Sequence, residues 1–231
     1  MKRHMLFLAS TTFAAAQIFA QIEDVENAEK LSGEQNVATE EAAAPAVTPL
    51  PPPATQGGMP LQEALALRKS GRQYSDREIS AETLSSMLWA GFGVSRPDGK
   101  RTAPTARNVQ DIDIYVVKKD GAFRYDARAN SLVLATPNDI RSLTATQDFA
   151  KRAPLNLLYV QTLKEQSQNL GADLTGGLHA GAISQNVGLF CASEGLENVV
   201  RLMFDAKALT QALGLPDNQR VLLTHTIGYA P

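Results

Sequence analysis

Residues 112–126 read Ile112-Asp113-Ile114-Tyr115-Val116-Val117-Lys118-Lys119-Asp120-Gly121-Ala122-Phe123-Arg124-Tyr125-Asp126. Ile112, Ile114 and Val116 alternate with Asp113, Tyr115 and Val117, the period of two that a strand imposes on its side chains. Asp120-Gly121 is a tight-turn pair, and Phe123 and Tyr125 resume the alternation, so the spacing predicts a hairpin over 112–126. Outward from it, 132–134 reads as a short strand and 155–161, after Pro154, as a buried one. Val221, Leu223, His225 and Ile227 alternate in a last strand. Helices are expected on the face formed by Leu61, Ala64, Leu65 and Arg68, and after a Ser80 cap with Leu84, Met87, Leu88 and Gly91 at three-four spacing. Further helices are expected from an Asp139 cap to about Ala150, from about Leu178 to Glu194 with Gly195 as its stop, and around Leu209, Ala212 and Leu213. Hairpins mixed with strand–helix alternation predict an α+β domain on a largely antiparallel sheet flanked by helices.

The chain has 231 residues, 44% of them apolar, enough for one medium domain with its own core. Its 22 Lys+Arg against 24 Asp+Glu leave a formal charge of −2, which gives no electrostatic footprint for nucleic acid. A lone cysteine, Cys191, excludes an intramolecular disulfide and a thiolate metal cluster.

At the start, Lys2, Arg3 and His4 precede an apolar run over 5–16, and small residues follow at Ala14, Ala16 and Ala20. That order predicts a signal peptide over 1–20 and an exported, periplasmic protein. The run is shorter than the roughly 20 residues a bilayer span needs, so no membrane anchor is expected. Over 21–59, seven carboxylates face Lys30 alone, and Pro45, Pro49, Pro51, Pro52 and Pro53 follow. This composition predicts an acidic, then proline-stiffened linker. The domain proper is then expected over 60–231.

The common nucleotide and hydrolase signatures are missing. Gly91 and Gly93 begin a Gly-x-Gly-x-x-Gly pattern, but Arg96 ends it; there is no phosphate-binding loop, nucleophile elbow or His-Glu-x-x-His. His179 and His225 read as structural histidines with satisfied hydrogen bonds, and Cys191 as inert core. The densest chemical signal is Arg68-Lys69-Ser70-Gly71-Arg72, followed by Tyr74. Two guanidinium forks, an ammonium and a hydroxyl in five residues suit a phosphate, although the same cations also suit a solvated helix end.

Leu88-Trp89-Ala90-Gly91-Phe92-Gly93, then Arg101-Thr102-Ala103-Pro104-Thr105-Ala106-Arg107-Asn108-Val109-Gln110 and the strand from Ile112, resembles the flavin-dependent nitroreductase family. It looks nearest the branch with the thiazoline and oxazoline dehydrogenases. The likeness continues through Asp120-Gly121, Tyr125-Asp126, Ala153-Pro154, Gly181, Gly195-Leu196 and Gly228-Tyr229-Ala230-Pro231, in order over roughly 60–231.

This resemblance implies a homodimer that binds FMN across its two subunits. Arg68, Lys69, Ser70 and Arg72 match the family's basic segment around the phosphate and ribityl chain, with Arg72 or Lys69 near the pyrimidine edge of the flavin. Pro104, Thr105 and Asn108, with Gln110 close by, match a loop that reaches the flavin from the partner subunit. Leu202 and Met203 lie in the segment whose main-chain N–H faces flavin N5. Relatives often carry Gly where Met203 stands, and many end in a basic pair for the phosphate, a role that falls here to Arg201 or Arg220. No side chain is required as acid or base, and no metal is implied. The implied activity is an FMN-dependent oxidoreductase passing hydride from a reduced donor, by default NAD(P)H, to a small nitroaromatic or quinone-like acceptor. Two alternatives stay open: an exported flavin oxidase or dehydrogenase independent of NAD(P)H, and a cofactor-free binding domain on the same fold.

Overall fold

A computed structural model describes residues 44–169 and 171–231. The expected signal peptide and the acidic half of the expected linker lie outside the described residues. Pro45–Pro231 forms one compact unit. In it seven strands, β1 (Val47–Pro49), β2 (Ile112–Lys118), β3 (Gly121–Asp126), β4 (Ser131–Thr136), β5 (Leu155–Thr162), β6 (Leu196–Arg201) and β7 (Gln219–Tyr229), form one sheet. Their order is β1-β4-β3-β2-β5-β7-β6, and every neighbouring pair is antiparallel. The helices are α1 (Leu61–Leu67), α2 (Ala81–Phe92), α3 (Asp148–Arg152), α4 (Glu165–Gln168), α5 (Ala172–Ser193) and α6 (Ala206–Leu213). The α+β class read from the hairpin is the class observed.

The alternation in β2 turns out to be one of destination. Ile112, Ile114 and Val116 enter a core with Met87, Leu88, Ile183, Val187 and Cys191 of α2 and α5, while Tyr115 and Val117 enter a second core with Leu209 and Leu213 of α6. A sheet covered on both faces buries both sets, which is why Tyr115 and Val117 are not polar. Fully burying side chains such as Met87, Leu88 or Leu157 stabilises the fold by about 1.5–3 kcal/mol each. Gly91 lets α2 approach α5, since a Cβ there would stand 2.8 Å from a Val187 methyl.

Four expectations need correction. The proline-rich part of the expected linker is built into the sheet: Val47–Pro49 pairs with β4, and Ser85 Oγ and Asn130 Nδ2 donate to the Pro51 carbonyl at 2.6 and 2.8 Å. Proline is tolerated because β1 is an edge strand. The face expected in α1 is divided, with Ala64 buried but Leu61 and Leu65 exposed, and the helix stops before Arg68. The helix expected from Asp139 is instead a 3-10 turn (Arg141–Leu143) followed by the separate α3. Thr144 Oγ1 donates to Arg141 O, and the Thr144 carbonyl accepts from the buried Arg201 guanidinium, so the chain is held away from a continuous helix. Helix α5 begins at Ala172, six residues before the expected start.

Candidate active site

After α1 the chain turns extended at Arg68, and the Gly71 N–H donates to Asn198 O of β6 at 2.8 Å. A Cβ at Gly71 would overlap the Glu197 side chain, so only glycine allows this approach. Tyr74 Oη donates to the Gly71 carbonyl at 2.7 Å, fixing the far end of the segment. Burial raises the Tyr74 phenol well above its ordinary pKa, against the lowering effect of Arg201 and Arg72. The stem of Arg68 lies over Gly188 of α5. Lys69 pairs with Glu197 at 3.3 Å. The side chains of Arg68, Ser70 and Arg72 make no hydrogen bond among the described residues. This is a strip of anion donors whose backbone is fastened and whose heads are free.

The same strand leads to the second part of the site. Asn198 lies four residues before Leu202, about 13 Å along an extended chain. Leu202 and Met203 are 73% and 59% exposed, and their N–H groups have no acceptor among the described residues. The Met203 carbonyl accepts from Thr146 N at 3.3 Å. Arg201, just before them, is buried: Nε donates to Thr226 Oγ1 at 3.0 Å, Nη1 to Thr144 O at 2.8 Å and Nη2 to Asn156 Oδ1 at 3.0 Å. Burial lowers its pKa to about 10, so it stays charged at neutral pH. Arg220 donates to Gln161 Oε1 at 3.1 and 2.8 Å and pairs with Asp173. Arg201 is therefore committed inside the protein, and Arg220 is engaged at the surface by Gln161 and Asp173, so neither guanidinium is free to stand in for a basic tail, which corrects that expectation.

The third part is the 104–110 loop. Arg107, Asn108 and Gln110 have φ of 52°, 55° and 46°, left-handed values that cost about 1 kcal/mol or more for a side chain such as Arg or Gln. Thr105 Oγ1 accepts from Gln110 N at 3.1 Å, and Thr105 O from Asn108 N at 3.0 Å. Gln110 Nε2 donates to Asn108 Oδ1 and Gly99 O, while its Oε1 accepts from Arg101 Nε at 2.9 Å. Gln110 is thus engaged at both ends of its amide and scaffolds the loop. Pro104 and Asn108 are exposed and Thr105 is half-buried.

Beneath the loop lies a buried network. The Ala106 N–H donates to His179 Nε2 at 2.8 Å, and His179 Nδ1 lies 2.6 Å from Asp111 Oδ1. Asp111 Oδ2 also accepts from Gln161 Nε2 at 2.9 Å and Ser167 Oγ at 2.7 Å. Burial acts to raise the Asp111 carboxyl, but these hydrogen bonds outweigh it and hold the group below the ordinary carboxylate range. His225, the other buried histidine, accepts from Tyr159 Oη at Nδ1 (2.9 Å) and donates from Nε2 to Asn198 Oδ1 (3.0 Å). Burial, then the Arg201 charge, pushes it down to about 3. Both ring nitrogens of each histidine are already bonded within the chain, and burial pushes the Cys191 thiol up and leaves it inert.

The 68–72 segment and Leu202 and Met203 are joined by one strand, β6, whereas the loop makes no hydrogen bond to either among the described residues and is fastened to α5. Arg68 meets α5 at Gly188 and Ala106 meets it at His179, nine residues or about 14 Å of helix rise apart. The sequence reading missed the role of His179 toward the loop. Its signals were faint: a helical histidine three residues after Gly176, whose missing Cβ makes room for the Gln161 amide.

Known proteins are similar to this chain in sequence and fold. A nitroreductase-like protein of Methanocaldococcus jannaschii is 27% identical over 151 residues, 60% of this chain and 76% of that one. The crystal structure of a nitroreductase-like protein from Ralstonia eutropha is 37% identical, covers 81% of this chain and 94% of its own, and superposes with a TM-score of 0.75. An NADH dehydrogenase/NAD(P)H nitroreductase structure from Parabacteroides distasonis shares the fold at 20% identity and a TM-score of 0.53, over 74% of this chain and 86% of its own. The family model described as "Nitroreductase family" matches residues 65–229. With that span matched and the antiparallel sheet in place, the chain belongs to the Nitroreductase family and is an oxidoreductase.

Proposed function

We propose that the protein binds FMN and works as a homodimer, passing electrons from a reduced donor, NAD(P)H by family habit, to a small nitroaromatic or quinone-like acceptor. The observation that carries this reading is the pairing along β6 of free phosphate donors with free main-chain donors. The donor set fits the cofactor: Arg68 and Ser70 are an unspent cation and a hydroxyl for its phosphate and ribityl oxygens, and Leu202 and Met203 offer N–H groups and apolar surface for its ring. Because Lys69 is occupied by Glu197, Arg72 is the cation for the pyrimidine edge, where it would favour negative charge. When bound, FMN supplies the electron transfer itself, so the protein's work is to hold, orient and shield.

A second copy of the chain is supported by exposed apolar side chains. Leu174 and Leu178 of α5 are 69% and 61% exposed, and Leu61, Leu65 and Leu67 of α1 exceed half exposure. Surface of this kind favours burial against a partner. A dimer also supplies what one chain lacks, a 104–110 loop at the basic strip of its neighbour.

The lysine-arginine start and apolar run over 2–20 favour a second reading, export to the periplasm, where an external reduced small molecule replaces NAD(P)H as donor. The experiment for both is an absorption spectrum of purified protein after incubation with FMN and desalting. Retained flavin bands are expected, bleached anaerobically by NADH or NADPH under the first reading and by neither under the second. A colourless protein would leave the cofactor-free binding domain.

A further inference from the structure

The 104–110 loop is exposed and strained, yet a buried polar network is built against it. Between residues 104 and 108 the sole hydrogen bond to another part of the described chain is Ala106 N–H to His179 Nε2. The rest of the bonding is internal: Thr105 to Asn108 and Gln110, Gln110 to Asn108, and the Val109 N–H to the Ala106 carbonyl. Past the loop, support is plentiful. Lys164 Nζ donates to Val109 O and Gln110 O, each at 3.0 Å, and Asp111 has Gln161 and Ser167 besides His179. Apart from Gln110, which ties Thr105 and Asn108 to Gly99 and Arg101, the exposed half of the loop is therefore joined to the rest of the described chain by that one bond.

That bond depends on the state of the imidazole. Nε2 must present a lone pair to receive the Ala106 N–H, so the ring proton must sit on Nδ1, where the Asp111 carboxylate takes it at 2.6 Å. The assignment follows from the network, since a donor occupies one ring nitrogen and an ionised acceptor the other. Asp111 is in turn fixed by donors from β5 and α4. Asp111 thus sets the tautomer and His179 sets the loop.

We infer that His179 is a positioning residue for the cofactor site: held by Asp111 as the Nδ1–H tautomer, it latches Ala106 and so fixes the loop face, Thr105 and Asn108 included, that the partner subunit's flavin meets. This rests on the FMN and dimer reading. Left-handed backbone at Arg107, Asn108 and Gln110 supports it, because strained conformations persist where surrounding contacts over-determine them and gather at working sites. The dyad is not an acid–base pair for the substrate, as both ring nitrogens are already spent inside one chain.

Two near-isosteric variants separate the two bonds. In His179→Asn the side-chain amide reaches the Nδ1 position and keeps the link to Asp111 but loses the acceptor for Ala106. In His179→Gln it reaches the Nε2 position and keeps that acceptor but loses the Asp111 link. Each surrenders one of two buried bonds, so a purely structural histidine predicts similar losses. Amide hydrogen exchange on the full-length apoprotein should show residues 105–108 exchanging at least about tenfold faster in His179→Asn and within about threefold of wild type in His179→Gln. FMN retention should follow the same order, weakened about tenfold in the Asn variant and rescued in the Gln variant. Equal exchange in the two variants, or unchanged exchange in His179→Asn, would overturn the latch. Exchange as expected, with FMN bound equally by both variants, would overturn its role toward the flavin. A wild type that takes up no FMN would overturn the flavin reading while the exchange pattern still decides the latch.

Discussion

The 68–72 segment and the 104–110 loop are built in opposite ways. In the first, the main chain is fastened at Gly71 to Asn198 and the side chains of Arg68, Ser70 and Arg72 remain unspent. In the second, the side chains of Thr105, Asn108 and Gln110 are spent on the loop itself, and the backbone pays with left-handed conformations. One segment offers charge on a fixed rail; the other offers a fixed shape. A site assembled from both should lose affinity when charge is removed from the first and lose geometry when the second is loosened.

The largest break is to remove the charge. Charge-assisted hydrogen bonds contribute about 1.5–3 kcal/mol each, so Arg68→Ala with Arg72→Ala should weaken FMN binding by roughly a hundredfold to ten-thousandfold. Folding should hardly change, because neither head bonds to protein among the described residues. Fluorescence titration of FMN against apoprotein, with a thermal melt as control, measures both. Unchanged affinity would move the phosphate elsewhere.

Acid sharpens the comparison from below, since the first segment stands on a buried histidine, with Asn198, which anchors Gly71, also receiving His225 Nε2–H, and the second on the buried Asp111 carboxylate. His225 has a folded pKa near 3 against an ordinary 6.5. Below pH 6.5 the unfolded chain takes up a proton that the folded chain refuses, so stability is complete above 6.5 and is lost as pH falls toward 3. One proton gives a slope of up to about 1.4 kcal/mol per pH unit, or roughly 2–3 kcal/mol between pH 7.5 and 4.5. Asp111, whose folded pKa is depressed, adds its own loss at still lower pH, below about 4. Urea midpoints across this range test the sum, and a flat profile down to pH 4.5 would mean that His225 protonates within the fold.

The difference between the two segments also marks what the sequence could disclose. The hairpin, the Ser80 cap, β7 and the centre of α5 were legible because each is encoded by periodicity or a terminal side chain a few residues away: Ser80 Oγ does accept from Thr83 N at 3.2 Å. The cations at 68–72 were legible as composition. What escaped was long-range. Strand β1 exists only because β4 offers an edge, and proline-rich composition says nothing of that partner. The helix expected over 139–150 was interrupted by Arg201, some sixty residues on, reaching the Thr144 carbonyl. The latch joins Ala106, Asp111, Gln161, Ser167 and His179, brought together by the sheet and α5 and by no local pattern.

The smallest break tests the rail itself. Gly71→Ala changes no charge and meets no left-handed backbone, yet its Cβ would overlap Glu197 Oε2 and lie 2.9 Å from Glu197 Cβ. The carboxylate end can swing away, which frees Lys69; the Cβ contact cannot be relieved by rotation and must lift the segment from β6. The expected cost is about 1–3 kcal/mol of stability, a fall of about 2–8 °C in Tm, as for other overpacked sites. FMN binding should weaken because Arg68 and Arg72 are re-aimed. Adding Glu197→Ala removes the carboxylate overlap and leaves the 2.9 Å contact, so the double variant should recover part of both losses. Gly71→Ala with wild-type Tm and affinity would show that the segment is held by its side chains after all, and that the contrast between fastened rail and shaped loop is false.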